Sequence, residues 1–138
     1  MIEHGSYRFQ VNILAKDLAE STRFYRRVAG LALVEAENWY ALLAASGQDD
    51  FALCLIDQVS EFVPRGARGT PAGTYFTLVV DDVRAAVEAA RELQLEIVEE
   101  AEATADGTRA VLRDPNELII EIVTPSARLA VPPREAVG

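Results

Sequence analysis

The feature that most constrains this chain is an internal repeat. Val11-Asn12-Ile13-Leu14-Ala15-Lys16-Asp17-Leu18 opens the first half, and Phe76-Thr77-Leu78-Val79-Val80-Asp81-Asp82-Val83 opens the second. Each is an apolar strand that ends at an Asp and runs into a helical pattern, and Asp17 and Asp82 are 65 positions apart. A repeat of this kind predicts two copies of one structural unit built around a shared site.

The unit can be read residue by residue. Phe9, Val11, Ile13 and Ala15 alternate with Gln10, Asn12 and Leu14, which is strand periodicity. Asp17, with Glu20 three residues on, is a helix N-cap with a capping-box partner. Phe24, Tyr25 and Val28 give the helix an apolar face to about Ala29, and Gly30 ends it. Strands follow over Leu31–Glu37, Trp39–Ala45 and Phe51–Asp57, with a turn at Ser46-Gly47-Gln48-Asp49-Asp50. The second half repeats the plan: a strand over Thr74–Val80, the N-cap Asp82 and a helix over Val83–Leu93. Three strands then follow, over Leu95–Glu100, Arg109–Arg113 and Glu117–Val123.

The expected organisation is one domain spanning 1–138, of the α+β class, with two βαβββ modules. Module one covers about 7–57 and module two about 74–124. The Pro- and Gly-rich connector 58–73 is read as a linker that is mobile or covers a site. The tail 125–138 is expected to be loosely ordered or to dock on a partner subunit.

A net charge of −9 argues against nucleic acid and anionic membranes, both of which need a positive surface. It suits a cationic small molecule, or serves solubility alone. No apolar run is long enough to span a bilayer, and the N-terminus lacks a basic region followed by an apolar stretch. The single cysteine, Cys54, suits a reducing compartment, so a cytoplasmic location is expected.

Three sets of residues now stand together: Val11–Asp17 with Ser21-Thr22-Arg23-Phe24-Tyr25 and Gly30-Leu31; Phe76–Asp82; and Arg113-Asp114-Pro115-Asn116 leading to Ile120-Glu121-Ile122. On these the chain resembles the vicinal oxygen chelate superfamily, which groups glyoxalase I, bleomycin-resistance proteins and extradiol dioxygenases. The resemblance implies that each module curls into a half-barrel, that the halves form a cup-shaped site, and that the protein is a homodimer with sites shared between subunits.

Metal-dependent members carry His on each module's first strand and Glu or Gln near its last. Alignment on Asp17 and Asp82 puts Gln10 and Tyr75 at the two His positions. The acidic position of module one falls at or next to Cys54; that of module two is Glu121. Alternation groups Gln10 with Asn12, Tyr75 with Thr77, Cys54 with Ala52 and Ile56, and Glu121 with Ile119, so this row is expected to line the cup.

One carboxylate, an amide, a phenol and a thiol make a poor ligand set for a divalent ion, and the sole histidine, His4, lies near the terminus. No cofactor is therefore expected, with a divalent metal as the lesser alternative, and Gln10 and Glu121 are the residual metal positions. Glu121 without a metal either raises its pKa by desolvation or pairs with a cation such as Arg109 or Arg113. Cys54 reads as a small buried hydrophobe. Trp39 is either core or an aromatic wall for a planar or cationic ligand, with Phe51 and Phe62 as lesser candidates.

The reading that follows is a metal-free protein that sequesters a small molecule, an antibiotic being one candidate. Its binding residues are Gln10, Asn12, Trp39, Cys54, Tyr75, Thr77, Arg113 and Glu121. The alternatives are a lyase, isomerase or dioxygenase with a divergent metal site or with Glu121 as general base, and a partner domain with a degenerate site.

Overall fold

In a computed structural model the described residues are 9–45, 51–69, 72–105 and 107–125. His4, the turn expected over 46–50 and nearly all of the tail lie outside them, as does the side chain of Phe51. The first module runs β1 (Phe9–Ala15), α1 (Leu18–Arg27), β2 (Ala32–Glu37), β3 (Tyr40–Ala44) and β4 (Phe51–Asp57). A short 3-10 turn, Arg65–Ala67, lies in the connector. The second module runs β5 (Tyr75–Val79), α2 (Val83–Glu92), β6 (Ile97–Thr104), β7 (Gly107–Arg113) and β8 (Ile119–Val123).

Each module forms a four-stranded sheet of the same topology, β1-β4-β3-β2 and β5-β8-β7-β6. In each, the first strand pairs parallel with the last and the other pairings are antiparallel. The crossover that a parallel pair requires is supplied by the helix and the hairpin after it.

Local chemistry sets the helix starts. Asp17 Oδ1 accepts from Glu20 N–H at 3.0 Å and Asp82 Oδ1 from Ala85 N–H at 3.0 Å, so both first turns are capped alike. The helices end differently. Gly30, at φ +71°, turns the chain after α1, whereas Gln94 takes a left-handed φ of +60° after α2.

One core joins the modules. Phe24 and Tyr25 of α1 and its C-cap residue Val28 pack with Val83, Val87 and Ala90 of α2, and with Ile13, Leu43, Leu55, Leu112, Ile120 and Ile122 from the inner faces of both sheets. A buried polar network staples α1 to the Asp114-Pro115-Asn116 turn. The Tyr25 hydroxyl donates to Asp114 Oδ2 at 2.8 Å, and Asp114 Oδ1 accepts from the backbone N–H groups of Asn116 and Leu118, each at 2.8 Å. Asn116 in turn donates to the Ser21 hydroxyl at 3.0 Å and accepts from Lys16 N–H at 2.9 Å. Burial, the negative charge of Asp114 and the hydrogen bond to it all hold the Tyr25 hydroxyl well above the usual phenol range.

Several strand ends depart from the sequence expectation: β7 starts at Gly107 rather than Arg109, β8 at Ile119 rather than Glu117, and β6 and β3 differ too. β6 continues past Glu100 to Thr104, through Glu102. It is an edge strand whose acidic side chains stay in solvent or meet Arg91 and Arg109, so the charge run does not stop it. β3 begins at Tyr40, because Glu37 pairs with Tyr40 and leaves Asn38 and Trp39 as the two-residue turn of the β2–β3 hairpin.

Candidate functional site

The face of each sheet away from the helices carries the predicted row. On sheet one, Gln10 pairs with Ala52, Asn12 with Cys54 and Leu42 with Cys54. On sheet two, Tyr75 pairs with Ile119, Thr77 with Glu121 and Val111 with Glu121. The register makes Cys54 the counterpart of Glu121, as Asn12 is of Thr77.

These residues form two groups on separate sheets. Gln10 Nε2 donates to Asn12 Oδ1 at 2.8 Å. Cys54 is buried in an apolar cluster with Leu42 and Ala52, against Tyr40 and Ile56. Across the other sheet, the Thr77 hydroxyl donates to Glu121 Oε1 at 2.8 Å, and Arg109 Nε donates to Glu121 Oε2 at 2.7 Å. Arg109 also reaches Glu99 Oε1, at 2.9 Å. Both oxygens of Glu121 therefore already hold a donor. Desolvation pushes its pKa up, but the hydrogen bonds from Arg109 and Thr77 outweigh it and hold the carboxyl below its ordinary value.

Of the two arginines expected near Glu121, Arg109 is the partner. Arg113 is turned to Glu96, at 3.1 Å, and to the Glu117 carbonyl, at 3.3 Å, so it is an ion-pair residue of β7 rather than part of the Glu121 group. Trp39 is not on a strand wall. Its half-buried ring sits at the hairpin tip, 4.6 Å from Phe62 and 4.6 Å from Tyr40 between ring centroids.

Tyr75 and Thr77 reach a cavity of about 890 Å³ at the seam between modules. Val79 lines it too, opposite Ala44 and Ala52 of sheet one. Asn12 lines a second cavity, of about 590 Å³, between β1 and the connector around Arg68. The Arg68 guanidinium donates to the carbonyls of Gln58, at 2.6 Å, and Ser60, at 3.0 Å, which ties this stretch of the connector to the end of β4. Trp39 lines neither cavity.

Sequence reasoning missed Tyr40 and Glu35. The Tyr40 hydroxyl donates to a Glu35 carboxylate oxygen; this bond, burial and the carboxylates of Glu35 and Glu37 push its pKa up to about 12. The pair is the module-one counterpart of Arg109 and Glu99. Tyr40 and Arg109 are the residues of β3 and β7 two positions before those facing Cys54 and Glu121, and Glu35 and Glu99 pair with Leu42 and Val111. The 65-residue offset does not reach it, because the hairpins of the two modules differ in length: Tyr40 corresponds to Arg109, 69 positions on, and Glu35 to Glu99, 64 positions on.

Among the described residues no three of His, Cys, Asp and Glu come together as a metal-binding group. The donors at the family's metal positions, an amide, a phenol, a buried thiol and a carboxylate saturated by Arg109 and Thr77, do not fit a divalent ion. Nor is any described helix long and apolar enough to cross a membrane.

Among solved structures, the chain is similar to a glyoxalase-related enzyme from Fulvimarina pelagi, with a TM-score of 0.68, 20% identity and coverage of 90% of this chain and 89% of that one. It is also similar to TnmS3, an antibiotic binding protein from a Streptomyces species (TM-score 0.61, 23% identity, 91% and 99% coverage). A third similar structure is the fosfomycin resistance protein FosX from Mesorhizobium loti (TM-score 0.62, 19% identity, 94% and 100% coverage). At such identities these likenesses show the fold. No curated protein matches the chain. The model of the glyoxalase/bleomycin resistance protein/dioxygenase superfamily matches residues 9–122, which together with the paired modules makes this chain a member of that superfamily.

Proposed function

We propose that this protein binds a planar, cationic small molecule on the concave faces of its sheets, without a metal, and acts by sequestration. The observation that carries the reading is the state of Glu121. It is the one carboxylate at the four family metal positions, and Arg109 and Thr77 occupy both its oxygens. A carboxylate held below its ordinary pKa is also a weak general base at neutral pH, which counts against the enzymatic alternative.

The ligand class follows from the other end of sheet one. Trp39, Tyr40 and Phe62 make a continuous aromatic surface beside Glu35 and Glu37. Aromatic faces next to carboxylates favour a delocalised cation, through stacking and cation–π attraction. The acidity of the chain adds a field of the right sign. An antibiotic-binding protein among the structural neighbours supports a ligand of natural-product size.

The reading includes a homodimer in the cytoplasm. Tyr75 and Val79 on the concave side of β5 are 63% and 47% exposed, apolar surface that a second copy would cover while closing the cup. Titration with a planar aromatic cation such as ethidium, followed by quenching of Trp39, tests the reading. Saturable quenching by ethidium, weakened about tenfold by Phe62→Ala, is expected. Metal-dependent turnover of a carbonyl or catechol substrate would replace it with the enzymatic reading.

A further inference from the structure

The two modules differ where their helices meet their outer hairpins. α2 packs over β6, β7 and β8, whereas α1 packs over β3 and β4 without comparable contact to β2. All six residues of β2 are exposed. The uncovered space is a groove of about 860 Å³ between α1 and the β2–β3 hairpin, floored by Leu18, Leu31, Ala36 and Ala41.

Charge differs at the same place. On α2, Arg91 pairs with Glu88 at 3.2 Å and with Glu100 of β6. The 65-residue offset puts Arg26 at the place of Arg91, but Arg23 at the place of Glu88. Two arginines one helical turn apart thus line the groove, and among the described residues neither has an ion-pair partner within 4.0 Å. Their neighbour Arg27 is held by Glu92 at 2.9 Å. The dipole of α1 accounts for a cation in its last turn, at Arg26, but not for Arg23 one turn earlier. Glu37, on the opposite rim, is the groove's carboxylate and would repel an anion there.

We propose that this groove, which opens between α1 and the β2–β3 hairpin and adjoins the aromatic surface at Glu37 and Tyr40, is a second binding site for an amphipathic carboxylate. Its head would lie between the Arg23 and Arg26 guanidinium groups and its apolar body along Leu18, Leu31, Ala36 and Ala41. The commitment to a carboxylate on an apolar stem comes from local charge complementarity: two arginines without ion-pair partners beside an apolar floor, against the field of a chain whose net charge is −9.

The probe is octanoate, titrated into isotopically labelled protein and followed by amide chemical shifts. Expected are saturable shifts confined to 18–27 and 31–41, and affinity about tenfold weaker for uncharged octanamide. Arg26→Ala and Arg23→Ala should each weaken octanoate by a similar factor, while Arg84→Ala on α2 leaves it unchanged. Two results would overturn the proposal: no saturable shifts, or shifts that persist unaltered in the Arg23→Ala/Arg26→Ala double variant. Groove shifts that follow protein concentration rather than octanoate would also overturn it, by assigning the groove to a second copy.

Discussion

At the scale of single residues, Glu121 and Arg109 decide the chemistry of the row. The folded pKa of Glu121 is depressed below its ordinary value of 4.5. The ionised pair therefore contributes stability that is fully present above that value and is lost as pH falls through the lower folded pKa. Arg109→Ala leaves a mostly buried carboxylate with only Thr77 as donor, so desolvation prevails and the Glu121 pKa rises. Carbon-detected titration of the Glu121 carboxyl should show that upward move. Urea unfolding against pH should show a shallower loss of stability below about pH 4.5 in the variant than in the parent. The sequence made Glu121 and a neutralising arginine legible. It left Arg109 and Arg113 as equals, because both lie two residues from Val111, the partner of Glu121, on one face of β7, and the choice is made by Glu96 and the Glu117 carbonyl, which hold Arg113.

At the scale of elements, the repeat was the readable part. Asp17 and Asp82 start both helices because a carboxylate at an N-cap acts locally, and alternation put Gln10, Asn12, Tyr75 and Thr77 on the sheet faces away from the helices. Trp39 and the length of β6 were not readable. A two-residue hairpin turn takes whichever residues the register leaves over, and tertiary pairing carried β6 through acidic residues that local propensity would have ended. The buried network between α1 and the 114–116 turn is the main polar staple between modules. Tyr25→Phe removes the hydroxyl but leaves Asp114 two backbone donors, so thermal or urea unfolding should show a loss of about 1–2 kcal/mol. Gly107 opens β7 at φ +144°, and an added Cβ would stand 2.1 Å from the Thr124 hydroxyl oxygen. Gly107→Ala should therefore cost about 2 kcal/mol or more by the same measurement, from backbone strain and the clash together.

At the scale of the whole molecule, two copies of one unit have kept their architecture and diverged in charge. The sheet faces away from the helices carry Tyr40–Glu35 in one module and Arg109–Glu99 in the other; the outer hairpin borders an uncovered arginine groove in one and makes an ion-paired helix contact in the other. Superfamily membership fixes the architecture but not which chemistry the cup performs, so function rests on these side chains. If a second copy completes the cup, Tyr75→Asp on the concave face of β5 should shift the protein towards monomer in light scattering, with the helices and core unchanged by circular dichroism. The central claim is that the cup binds its ligand without a metal. Native mass spectrometry of freshly purified protein, with neither metal nor chelator added, tests it most directly. The account predicts a dimer whose mass holds no divalent ion and accommodates at most a small organic ligand. A dimer carrying one divalent ion per subunit would contradict it.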